Sequence, residues 1–179
     1  GNILSSLSLP NPKLKTVHDF CGKCQACIQS CPTQAIKEDK TLNAELCISY
    51  WTIESKKVAP EELRSKIGPH FFGCDICQTV CPWNQKILKN LALHEEPSTF
   101  PITDELIAEL RFVLTTSAEK MNAHTKNTAL YRSKSFGLKR NALIVVGNLK
   151  IKELQPEVLE LNKDEKLSEL CQWTLTELS

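Results

Sequence analysis

Apolar residues recur at helical spacing through the second half of the chain. Leu106, Ile107, Leu110, Val113 and Leu114 share one face, and Thr103 and Asp104 stand before them as caps. A second stripe runs through Leu138, Ala142, Leu143, Val145, Val146 and Leu149, after Gly137, which is expected to break the pattern. Pro156 is expected to open a short helix. From Asp164 the clearest helix is predicted, with Leu167, Leu170, Cys171, Thr174, Leu175 and Leu178 at spacings of three and four. Short helices joined by tight turns predict stacked helix pairs, a small α-solenoid, although no sharp repeat is visible. Further upstream, Pro60–Gly68 reads as a short helix with proline at its start and glycine at its end.

Three zones follow. Residues 1–17 form a lead-in segment punctuated by Pro10 and Pro12; residues 18–90 hold a cysteine cluster; residues 91–179 hold the helical periodicities, with Pro97 and Pro101 at the boundary. The chain has 179 residues, 41% of them hydrophobic and 24% charged, enough to bury a core. A net charge of +1 excludes a generally basic coat protein but not a local basic patch. Residues 1–10 lack the basic flank and long apolar run of a signal peptide. The longest aliphatic run, Ala142 to Val146, is far too short to span a bilayer. A cytoplasmic protein with reduced thiols and no membrane partner is expected.

Of nine cysteines, eight lie between Cys21 and Cys81. A disulfide framework would more often spread them along the chain. Cys21, Cys24, Cys27 and Cys31 form C-x2-C-x2-C-x3-C and precede Pro32. Three thiolates at intervals of three wrap one corner of a [4Fe–4S] cubane, and the cysteine before proline serves the other cluster. A second set is therefore required. Cys47, Cys74, Cys77 and Cys81 supply it, again before a proline, Pro82. The expected pairing is crossed: Cys21, Cys24, Cys27 and Cys81 for cluster one, and Cys47, Cys74, Cys77 and Cys31 for cluster two. Two zinc sites are the competing reading, and the doubled C-P arrangement weighs against them. Cys171, on an apolar stripe, reads as a buried small hydrophobe. His70 lies near Cys74, but eight thiolates already fill the sites. Trp83 and Phe72 are expected to shield a cluster from water.

Three strings, CGKCQACIQSCPTQAI (21–36), CISYWTIE (47–54) and FGCDICQTVCPWN (72–84), together resemble the iron–sulfur module of the epoxyqueuosine reductases. GLKRNALIVVGN (137–148) resembles a helix in the HEAT-like region of that family, and GNILSSLSLP (1–10) the segment leading into its cluster module. The implied fold is mostly α: an α+β module like a bacterial two-[4Fe–4S] ferredoxin, then a HEAT-like α-solenoid. The implied reaction is reductive removal of the epoxide oxygen of epoxyqueuosine at the tRNA wobble position, with the clusters passing electrons singly to cobalamin. The family normally carries a cobalamin domain before the cluster module. Nothing in residues 1–20 is expected to wrap a corrin, so a fragment or half of a split enzyme is expected, with a separate cobalamin domain and an electron donor as partners. No catalytic acid is assigned, and the chain alone is expected to bind clusters without reducing epoxyqueuosine. A stand-alone two-cluster electron carrier is the alternative function; an RNA-binding adaptor with structural zinc is a second.

Charge in the helical zone is segregated. No acidic residue lies between Glu119 and Glu153, whereas the segment from Glu153 to Glu177 is acidic. From charge alone the basic stretch is either a solvated face or a nucleic-acid contact. The resemblance implies the latter: Lys134, Lys139 and Arg140 on phosphates of the tRNA anticodon arm, with Arg132 as an outer contact.

Overall fold

The computed structural model describes residues 6–7, 20–90 and 101–179. The lead-in segment, apart from Ser6 and Leu7, and most of the expected zone boundary fall outside these residues. The described chain is mostly helical, and an isolated antiparallel bridge between Ile36 and Leu42 is its one β pairing.

The cluster zone is built from short pieces: α1 (Ala26–Ser30), a π-helical turn (Tyr50–Glu54), α2 (Glu61–Ile67), α3 (Ile76–Thr79) and α4 (Pro82–Asn90). Helix α2 matches its expected signals. Pro60 stands at its N-cap, and Gly68 ends it at φ 60°, a left-handed backbone that favours glycine.

The helical zone comprises α5 (Asp104–Thr115), α6 (Ala118–Thr125), α7 (Lys134–Leu149), α8 (Gln155–Leu161) and α9 (Ser168–Leu178). Helix α5 starts as expected, with the Thr103 hydroxyl accepting from Leu106 N–H. Proline lies in the first turn of α8, also as expected. Two boundaries differ. Asp164 does not begin α9: its side chain accepts from Lys166 N–H and its carbonyl from Leu167 N–H, so it closes a turn. Gly137 lies inside α7 rather than breaking it. Its neighbour space explains the residue, since a Cβ there would sit 2.9 Å from that of Ser133.

Helix α7 is the axis of the fold. It packs against α5, α6 and α9, and on another side against α2 and the π-helical turn. Leu138 and every residue from Arg140 to Gly147 are buried. Leu143, Val146, Leu154, Val158 and Leu170 are fully enclosed. Burial of a single such side chain contributes about 1.5–3 kcal/mol relative to exposure. Gly147 lets α9 approach: a Cβ at that position would meet the Trp173 ring at 2.8 Å. Helix α7 thus joins a dry helical core to the cysteine-bearing zone.

Candidate metal centres

Each C-x2-C unit folds as a turn leading into a short helix. Cys24 N–H donates to Cys21 O, and Cys27 follows on α1. Cys77 lies on α3, and Cys81 N–H donates to Gln78 O just past its end. Helices α1 and α3 pack together, so the two distant motifs face each other. Each cysteine before a proline therefore stands at the exit of its helix, within reach of the opposing motif.

Two cavities result. Cys21, Cys24, Cys27, Cys77 and Cys81 line a space of about 570 Å³. Cys31, Cys47, Cys74 and Cys77 line a second of about 40 Å³. No histidine or carboxylate lines either wall. Purely sulfur donor sets suit soft-metal centres, iron–sulfur clusters among them. A single zinc ion would draw four sulfurs to about 2.3 Å from one point. Among the described residues no three His, Cys, Asp or Glu side chains converge on one such point. The all-thiol donor set fits clusters, each of whose irons takes its own thiolate.

The surroundings of the two cavities differ. Phe20, Trp83 and Leu42 line the first, and these side chains are 70%, 63% and 57% exposed. The rings of Phe20 and Trp83 meet edge to face with centroids 5.7 Å apart. Trp83, expected to shield a cluster, lines the first cavity from the start of α4 and is itself largely exposed. Ala35 and Ile48, both buried, close the second cavity. Burial pushes the Cys74 thiol up to about 11, helped by the neighbouring thiols Cys77, Cys47 and Cys31. Burial works the same way at Cys31, but hydrogen bonding from Thr33, Ala35 and Ile36 outweighs it and lowers that thiol. Ala35 N–H lies 3.3 Å from its sulfur. Such donors favour thiolate, the form that binds metal.

Two residues near these thiols escaped the sequence reading. The Ser49 hydroxyl accepts from Cys74 N–H at 3.0 Å and donates to Cys74 O at 3.2 Å. The Thr52 hydroxyl accepts from Gly73 N–H at 3.0 Å and donates to Ile48 O. They tie the segment after Cys47 to Cys74. Their only signal was a place inside the 47–54 string. His70 lines neither cavity, and Cys171 is fully buried on α9.

The basic residues separate. Arg140 is 1% exposed and donates to backbone carbonyls of Trp51, Ser55 and Lys57. It is therefore not a phosphate contact: one face of α7 packs on the cluster zone, and Arg140 lies on that face. Lys139 is half-buried, which lowers its pKa, while Asp164 works in the opposite direction. Lys134 is exposed, with its ammonium 3.0 Å from the centroid of the Tyr131 ring. Arg132 pairs with Glu54 at 2.7 Å.

The model of a 4Fe-4S double cluster binding domain matches residues 20–84. Epoxyqueuosine reductase of Francisella cf. novicida (strain Fx1) is 40% identical over 165 residues, covering 91% of this chain and 44% of that protein. The chain is homologous to the epoxyqueuosine reductases. The Escherichia coli (strain K12) epoxyqueuosine reductase is 36% identical over 173 residues, covering 96% of this chain and 45% of that one. The chain thus spans about half the length of these relatives. A crystal structure of epoxyqueuosine reductase with a tRNA-Tyr epoxyqueuosine-modified stem loop matches with a TM-score of 0.72 and 30% identity, over 90% of this chain and 43% of that one. The Streptococcus thermophilus epoxyqueuosine reductase structure matches with a TM-score of 0.71 and 28% identity, over 88% and 41%. Among the described residues no helix is long and apolar enough to cross a membrane.

Proposed function

We propose that this chain is the electron-supplying part of an epoxyqueuosine reductase and that it also contributes to tRNA docking. The observation that carries the proposal is the pair of cavities lined by cysteine thiols with no histidine or carboxylate among them. The ligand sets are crossed. Cluster one takes Cys21, Cys24, Cys27 and Cys81; cluster two takes Cys47, Cys74, Cys77 and Cys31. Cys77 borders both spaces and is given to cluster two by motif symmetry with Cys27.

When bound, the clusters supply one-electron transfer. Removing an epoxide oxygen as water consumes two electrons and two protons, which suits a pair of one-electron carriers. The open rim of Phe20, Trp83 and Leu42 suits cluster one to exchange electrons with another body, which in this reading is a cobalamin domain. Cluster two, more enclosed, is the inner station. The deoxygenation itself is not assigned to any of the described residues.

Residues 18–90 act as the cluster module and 91–179 as the HEAT-like docking region. Lys134 and Lys139, with Arg132 as an outer contact, meet phosphates of the anticodon arm. The structural relative bound to a tRNA stem loop and the exposed Lys134 support this. Phosphate contacts give affinity without sequence information, so the modified base is read elsewhere. Anaerobic reconstitution followed by iron and sulfide analysis tests the proposal. Two full [4Fe–4S] clusters per chain are expected, and zinc without iron would refute it. A stand-alone carrier would show no affinity for tRNA.

A further inference from the structure

The helical segment from Ile48 through Glu54 follows Cys47 directly, and its last carbonyls have no partner further along the segment. One face of α7 supplies the donors. Arg140 Nη2 donates to Trp51 O, and Nη1 to Ser55 O at 2.6 Å and Lys57 O at 2.8 Å. Asn141 Nδ2 donates to Thr52 O at 2.7 Å and to Phe71 O at 2.8 Å. The Ser133 hydroxyl donates to Thr52 O at 2.8 Å. On the opposite side of the same segment, Ser49 and Thr52 grip Cys74 and Gly73. Trp51 N–H also donates to Cys47 O, so this segment links Arg140 to the backbone of Cys47 and Cys74, whose thiols line the second cavity.

The charge of Arg140 is unbalanced. Its other contact is the Asn141 side-chain oxygen, and among the described residues it makes no ion pair. Burial lowers its pKa to about 10, which leaves it cationic at neutral pH. Carbonyl dipoles at a helix end offset part of the cost of burying a cation. A thiolate-bound cluster carries the negative charge that would offset more.

We infer that Arg140 is the positioning residue and buried counter-charge of cluster two, fixing the Cys47 segment against Cys74 and favouring the reduced, more negative cluster. This rests on the ligand sets proposed above. The test is a potentiometric titration of the full reconstituted chain with dithionite as reductant, each cluster being followed by electron paramagnetic resonance. Signals are assigned beforehand with Cys47→Ser and Cys21→Ser. A parent chain that takes up no clusters refutes the ligand reading itself, before any Arg140 variant is made. Given two clusters, Arg140→Gln is expected to lower the midpoint potential of the Cys47 cluster and leave the Cys21 cluster unmoved. Arg140→Lys, which keeps the charge, is expected to recover part of that shift. Unchanged potentials, or equal shifts at both clusters, overturn the inference. If Arg140→Gln does not fold, Arg140→Lys decides alone: a spectral change confined to the Cys47 signal supports the role, and an unchanged or globally altered spectrum removes it.

Discussion

Among the described side chains between Phe20 and Asn90 the buried apolar ones are Ala35, Ile48, Ala59, Leu63 and Ile67. Helix α7 alone buries Leu138, Ala142, Leu143, Ile144, Val145 and Val146. The second region has the ingredients of an ordinary hydrophobic core; the first has few, and eight thiols instead. A small unit with so little apolar burial takes its stability from bound metal, because binding free energy becomes folding free energy. The seam between the regions is polar and specific. Asn148 Nδ2 donates to Arg64 O and Gly68 O, and Arg140, Asn141 and Ser133 hold the segment after Cys47. The helical region therefore serves as a scaffold for one edge of the cluster zone, while the thiols organise the rest.

The sharpest way to break this contrast is to remove the metal. Chelation of the reconstituted chain is expected to abolish amide hydrogen-exchange protection in residues 20–46 and leave α5–α9 protected. Loss of protection throughout would show one cooperative unit instead. The converse experiment attacks the core. Leu143→Ala is expected to cost about 2–5 kcal/mol in urea unfolding, because the enclosed site cannot fully collapse. Iron content per folded chain should stay at the parent value. Thr103→Ala removes the N-cap of α5 and is expected to cost about 1 kcal/mol, read as a lower urea midpoint with unchanged slope. Lys134→Ala touches neither core nor thiols. It should leave the midpoint in place, weaken tRNA binding, and reduce the salt dependence of that binding by about one unit of slope. Binding that does not respond would assign Lys134 to the solvated face.

These regions also differed in how much their sequence revealed. The thiol motifs were legible because their geometry is local: a spacing of three fixes which sulfurs share a turn. Caps were legible for the same reason, at Thr103 and at Pro60 and Gly68. Arg140 was misread because charge patterning says nothing about which face of a helix meets another region. The five donors of its guanidinium suit a set of orphan carbonyls as well as a phosphate. Gly137 was misread because glycine weakens an isolated helix, whereas here the helix is held by its burial. Ser49 and Thr52 carry no periodic signal, and their role exists only once Cys74 is brought beside them. Trp83 was legible only as a neighbour of the thiols, and nothing in the string shows how open to solvent it stands.

The crossed ligand sets are tested most directly by comparing Cys31→Ser with Cys81→Ser in anaerobically reconstituted protein, using iron content and the resonance signals of each cluster. The account requires each variant to lose or alter a different cluster: Cys31→Ser the one also lost in Cys47→Ser, and Cys81→Ser the one also lost in Cys21→Ser. Cys31→Ser acting on the Cys21 cluster, or either variant leaving both clusters intact, would contradict it.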